Sequence, residues 1–144
     1  IFKLSGSSIV TVNKEIDGFI LNRLQGALLN EAMRLYSEGY ASSEDIDATI
    51  KDGLGLRWAF MGPFETIDLN APGGIKDYMA RYGSIFIEMA KSQTKIPDWS
   101  ENAGKKLELE RRKVLSEDDL EKRAKKRNFL LKQLRKLKID NDET

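Results

Sequence analysis

Few side chains in this sequence have types and spacings that suit chemistry, and they fall in two places. The stretch "IDGFILNRLQGALLNEAMRLY", Ile16 to Tyr36, carries the polar pair Asn22 and Arg23 inside an otherwise apolar opening. An asparagine near the start of a helix can spend its amide on nearby backbone, so the residue alone leaves its role open. Arg57 sits in "GLGLRWAFMGP" among Leu54, Leu56, Trp58, Ala59 and Phe60. A cation beside so much apolar surface calls for a partner, and a guanidinium fork matches a carboxylate. Spacing favours an ion pair with a nearby Glu or Asp, or stacking on Trp58. The other charged clusters read as structural. Glu44, Asp45 and Asp47 stand in the first turn of a helix, where the helix dipole favours anions, and Glu65 and Asp68 share a face with nothing to show that a third group converges on them.

What is missing narrows the chemistry further. The chain has no histidine and no cysteine. That excludes a histidine base, a Ser-His-Asp triad, histidine-held zinc, disulfides and thiolate metal sites built from these residues. The glycines of "GLGLRW" invite a test as a nucleotide loop. They lack the third glycine of the dinucleotide fingerprint, no strand leads into them, and no Gly-Lys-Ser/Thr follows. The segment therefore reads as a helix stop followed by a tight turn.

A length of 144 residues suits one domain with a real core. The net charge of +1 gives no overall field for nucleic acid. No apolar run approaches a membrane span, and "IFKLSGSSIV" has no apolar signal region, so neither a membrane nor a nucleic-acid partner is expected. Lack of cysteine fits a reducing compartment, and the expected location is the cytoplasm. A chain that starts at Ile1 is expected to be a fragment or a processed product.

The elements that must position Asn22 and Arg57 read as helices. "SSIVTVNKE", Ser7 to Glu15, is β-branched and predicts one strand with no partner in the chain, or an extended arm. Asp17 is the expected cap of a first helix running to Glu38, with Phe19, Ile20, Leu24, Ala27, Leu28, Ala32 and Leu35 as its apolar stripe and Gly39 as its stop. Ser42 with Asp45 opens a second helix that Gly53 should end. Pro63 starts a third, "PFETIDLNA". A fourth spans Gly74 to Lys91 before Pro97 breaks the chain, and a fifth runs from Ser100 to Lys113. Ser116 with Asp119 opens the last, to about Lys138. It is basic, but Leu120, Ala124, Leu130, Leu131, Leu134 and Leu137 predict an apolar face packed on the domain or a partner. The expected fold class is all-α with a short N-terminal strand or arm.

The run from Asp17 to Asn70 resembles the C-terminal domain of the 3-hydroxyacyl-CoA dehydrogenase superfamily. The resemblance rests on Gly-Phe-x-x-Asn-Arg at Gly18 to Arg23, on "SEDID", and on Met-Gly-Pro-Phe-Glu at Met61 to Glu65. "GLGLRWAFMGP" and "VTVNKEIDGFILNRLQ" are similar to the branch of lambda-crystallin and L-gulonate 3-dehydrogenase. The resemblance covers Ser7 to Tyr82 and is weak beyond. It implies a helical domain of the 6-phosphogluconate dehydrogenase C-terminal type over residues 16–140, with residues 1–15 as the end of a Rossmann domain that binds NAD. The catalytic histidine would then precede Ile1, and the fragment alone would be inactive.

The resemblance also implies a role for Asn22. The matching asparagine lines the active site at the domain boundary, where it can bind the substrate oxygen or help position the histidine. An amide donates and accepts without changing charge, so it can hold a hydroxyl and then a carbonyl. Arg23 is expected in an ion pair. A free hydroxy acid, unlike a thioester, presents a carboxylate, and Arg57 is the residue expected to bind it, from the same subunit or across a homodimer. Two alternatives stay open: an acyl-CoA dehydrogenase domain whose basic helices meet CoA phosphates, and a non-enzymatic helical or crystallin-like structural protein.

Overall fold

The computed structural model describes residues 10–141. Seven α-helices carry them: α1 (Phe19–Ser37), α2 (Ser43–Ala48), α3 (Gly55–Trp58), α4 (Pro63–Leu69), α5 (Gly74–Ser92), α6 (Glu101–Val114) and α7 (Leu120–Asn141). A π-helical turn, Thr49–Leu54, joins α2 to α3, and a 3-10 turn, Glu117–Asp119, leads into α7. No strand occurs among the described residues, so the fold is all-α. Val10 to Glu15 form neither helix nor strand, and Val10 and Val12 are exposed. Of the strand or arm expected over Ser7 to Glu15, the described part forms no strand, which leaves the arm, and Ser7 to Ile9 lie outside the described residues. β-branched content could not make a strand where no neighbour supplies hydrogen bonds.

Contacts divide the chain into two compact units. One holds residues 27–105; the other joins the residues up to Gly26 with those from Lys106 onward. The 27–105 unit contains the buried core, Met33 and Ala71 with the polar Ser43 and Thr66. The Thr66 hydroxyl is satisfied by donating to Gly62 O at 2.8 Å, as a buried polar group requires. Its helices begin and end where local chemistry dictates. Tyr40 N–H donates to Leu35 O at 2.9 Å and Gly39 N–H to Tyr36 O at 3.1 Å. With Gly39 at φ +77°, this is a Schellman closure of α1. Asp45 N–H donates to Ser42 Oγ at 3.1 Å while the Ser42 hydroxyl donates to Asp45 Oδ2 at 2.6 Å, the expected box at the start of α2. Pro63 occupies the first turn of α4.

The start of α5 has a different support. Ile75 N–H donates to Asp68 Oδ1 at 2.6 Å, and Gly73 N–H to Asp77 Oδ2 at 3.2 Å. A Cβ on Gly74 would stand 2.7 Å from Asp68 Oδ1. Asp68 is thus a cap for the next helix, in keeping with its structural reading. Arg81 donates to Asp77 at 2.7 Å and holds that carboxyl below its usual range.

In the other unit, α1 opens at Phe19, two residues after Asp17, through left-handed backbone at Gly18 and Phe19 (φ +80° and +49°). Helix α7 runs three residues past Lys138 to Asn141, whose amide donates to Leu137 O at 2.7 Å. Its expected apolar stripe is not a clean one. Arg123, Arg127 and Lys138 fall at helical spacing on the same side as Leu120, Leu131 and Leu134, which leaves Leu120, Leu130, Leu131 and Leu137 exposed.

Candidate functional site

Asn22 stands in the first turn of α1, immediately after the Gly18–Phe19 bend. Gly18 is required there by its positive φ: an L side chain in that region is strained. A Cβ at Gly18 would make only ordinary contacts, 3.7 Å from Asn22 Cβ and Arg23 Cγ, so conformation rather than space selects glycine. The bend starts the helix abruptly and leaves Asn22 exposed. Among the described residues its amide forms no hydrogen bond, so the local backbone bond that could have explained it is not made there. Arg23 is also exposed, and no ion pair among the described residues engages it.

Arg57 lies in the 27–105 unit and is described within it; Asn22 belongs to the other. The stop expected at Gly53 does not occur, and "GLGLRW" is not a loop. Helix α2 continues through Gly53 into α3, and Arg57 sits on the third residue of α3. The reason lies at Gly55, whose N–H bonds Ile50 O, a five-residue reach that widens one turn. Leu54 and Trp58 share a helix face at i, i+4 across Gly55, and no left-handed residue breaks the run. Arg57 is exposed, and among the described residues its guanidinium has no ion pair, hydrogen bond or ring contact. The Trp58 stacking and the internal carboxylate that sequence offered are both absent from that set. Because this segment is helical, it forms no glycine cradle for a dinucleotide.

A polar cleft of about 300 Å³ in the same unit is lined by Ala27, Asn30, Glu31, Arg34, Gln93 and Lys95. Its charges cancel. Arg34, with a side chain only 13% exposed, bridges Glu31 at 2.6 Å and Glu38 at 3.1 Å. Lys95 approaches Glu38 at 3.8 Å. The Arg34 hydrogen bond holds the Glu31 carboxyl below its usual range. Trp99 Nε1 donates to Asn30 Oδ1 at 3.0 Å across 69 residues of sequence. This cluster pins the segment after α5 to α1 and leaves no net charge for a ligand. Its Glu31, Arg34 and Glu38 spacing was legible as helical pairing; nothing local announced the Asn30–Trp99 bond.

An apolar groove of about 560 Å³ lies between α4 and α5, with Phe64, Ile67, Tyr78, Met79, Phe86 and Ile87 among its walls. Tyr78 packs on Tyr82 and Phe86, with ring centroids 4.8 and 6.2 Å apart. Among the described residues no set of acidic groups could hold a metal ion, and no helix is long and apolar enough to cross a membrane.

A helical chain with Gly-Phe-x-x-Asn-Arg at a sharp helix entry and Met-Gly-Pro-Phe-Glu at the α4 start has a clear class. Residues 18–116 match the family described as 3-hydroxyacyl-CoA dehydrogenase, C-terminal domain, and the chain belongs to that family. It is 44% identical over 135 residues to lambda-crystallin of Oryctolagus cuniculus, covering 92% of this chain and 42% of that protein. It is 42% identical to L-carnitine dehydrogenase of Streptomyces coelicolor over 83 residues, 57% of this chain and 26% of that one. A 3-hydroxyacyl-CoA dehydrogenase of Gibberella moniliformis is 33% identical over 92% of this chain and 42% of its own length. The chain thus spans less than half of each of these relatives.

Proposed function

We propose that this chain is the substrate-binding and dimerisation part of an NAD-dependent 3-hydroxy acid dehydrogenase of the L-gulonate 3-dehydrogenase type. The observation that carries the reading is the free Arg57 guanidinium on α3, exposed and unengaged among the described residues. A free carboxylate is the partner it suits best. Support also comes from a relative named for L-carnitine, itself a free 3-hydroxy acid. NAD and the proton-accepting histidine belong, in this reading, to the remainder of the whole protein, and the chain alone is inactive. What these residues contribute is binding and orientation. Taken each by itself, Arg57 is suited to a carboxylate, and Asn22 to an oxygen that is first hydroxyl and then carbonyl.

The reading includes a cytoplasmic homodimer. Its support is the apolar surface left open in each unit: Leu21 of α1 is 74% exposed, and Phe64 in the α4–α5 groove 75%. Such patches mark contact surfaces. A monomeric mass at high concentration would count against it.

The deciding experiment is NADH formation by the whole protein on L-gulonate or 3-hydroxybutyrate against a 3-hydroxyacyl-CoA. Preference for the free acid, with Arg57→Ala raising KM on the order of tenfold to a hundredfold, the usual worth of a charged hydrogen-bonded pair, is the expected result. Preference for the thioester would move the assignment to the acyl-CoA reading, which the Gibberella relative's name favours.

A further inference from the structure

The wide turn ahead of Arg57 has a chemical requirement of its own. Gly55 keeps ordinary right-handed helical backbone, φ −64° and ψ −32°, so conformation does not demand glycine. Space does. A Cβ there would stand 2.8 Å from Ile50 O and 3.7 Å from Ile50 C, and the contact is with backbone, which cannot swing aside. Gly53, in the same turn, has nothing within 4 Å of its missing Cβ. Of the two glycines, only Gly55 is needed for the carbonyl–amide bond that makes the turn wide.

A wide turn takes up one residue more than an α-turn, which shifts where the following side chains point. One residue of helix is roughly 100° of rotation and about 1.5 Å of rise. If the turn tightened to the ordinary pattern with no residue removed, α3 would advance by that step. Arg57 would leave its bearing and Leu56 would move into it.

We propose that Gly55 is a positioning residue for substrate selection: by holding the wide turn it aims the Arg57 guanidinium at the carboxylate of a free hydroxy acid. This rests on the reading of Arg57 given above. Gly55 touches no substrate; it acts through Arg57 alone. The free acid should therefore depend on Gly55, and a 3-hydroxyacyl-CoA, whose acid end is masked as thioester, should not.

The test uses the whole protein, with 3-hydroxybutyrate and 3-hydroxybutyryl-CoA as probes and NADH formation as readout. Gly55→Ala is expected to raise KM for 3-hydroxybutyrate on the order of tenfold or more, matching Arg57→Ala, with kcat and thioester KM little changed. In the Arg57→Ala background it should add nothing further. Deleting Gly53 from the Gly55→Ala chain removes the extra residue, lets the run close as ordinary α-helix and returns Arg57 to its place, so KM should recover. Shortening the chain also relieves the clash, so what separates aiming from a merely structural role is that only the free-acid KM moves while kcat and the thioester KM do not. If Gly55→Ala does not fold, exchanging the residues at 57 and 58 moves the guanidinium by the same step in a native turn, and it should raise the free-acid KM equally. A folded Gly55→Ala chain with unchanged free-acid KM, an effect that adds to that of Arg57→Ala, or an exchange at 57 and 58 that binds normally each overturns the proposal. An Arg57→Ala chain with unchanged KM overturns instead the carboxylate reading on which it rests.

Discussion

The end of α1 and the junction of α2 with α3 both carry glycine after a helical run, yet one stops the helix and the other widens it. At Gly39 the backbone turns left-handed at φ +77°, and its N–H and that of Tyr40 fold back onto Tyr36 O and Leu35 O. At Gly53 and Gly55 the backbone stays right-handed, and Ile50 O reaches Gly55 N–H. The surroundings differ in the same sense. Past Gly39 the chain is polar, and the Arg34 guanidinium lies 5.8 Å from the Tyr40 ring centre, fixing the exit. Past Gly53, Leu54 and Trp58 share one helix face, and no side chain caps the turn. A glycine ends a helix when something downstream takes up the exposed carbonyls; otherwise it only permits close approach.

Substitutions at these glycines break or sharpen the contrast. The largest effect on stability is expected at Gly55→Ala, where an added Cβ meets backbone oxygen; overpacking of this kind costs about 1–3 kcal/mol. Gly39→Ala is expected to cost roughly 1–2 kcal/mol, the penalty for left-handed backbone with a Cβ, although nothing lies within 4 Å of that Cβ. Gly53→Ala should go the other way, raising stability by about 0.5–1 kcal/mol, since the position is helical and open. Urea denaturation of the three variants would measure all of this. Equal losses at Gly53 and Gly55 would erase the distinction between a spacer and a required close approach.

Much of the framework was legible in sequence because it is written in local chemistry. Ser42 with Asp45, Pro63, Gly39 and Pro97 each act within one helical turn, and each placed a boundary within a few residues. Gly53 misled because a stop and a wide turn share the same glycine, and the difference lies in where Ile50 O points. Between the strand and the arm offered at Val10 the sequence could not choose, because strand propensity needs a neighbour, which is a tertiary fact. For α7, counting leucines overlooked the arginines that share their face. Of the proposed site, the sequence offered Asn22 and Arg57 as candidates, but not that Arg57 is helical and unengaged among the described residues. Gly55, which sets its bearing, carried only the signal of being glycine.

Acid sharpens the same contrast, with the smallest effect. The end of α1 depends on an ionised carboxylate: Glu31 accepts two hydrogen bonds from Arg34, at 2.6 and 2.9 Å. Those bonds, with help from Gln93, hold its pKa below the ordinary 4.5. A carboxyl whose folded pKa is depressed binds its proton less readily folded than unfolded. Its contribution is therefore complete above the ordinary value and is lost as pH falls through and below it. The wide turn has no such partner; its nearest pair, Lys51 with Asp52, is 71% and 64% exposed, and such pairs add almost nothing. Lowering the pH from 6 toward 3 should accordingly loosen the amides of Gly39 and Tyr40, by about 1 kcal/mol or less. The Gly55 amide should keep its protection over the same range. Amide exchange, corrected for its intrinsic pH dependence, reads both sites in one experiment. A parallel loss at Gly55 would mean that the two ends are coupled through the helices between them, and that the turn aiming Arg57 is not the self-contained unit its backbone contact describes.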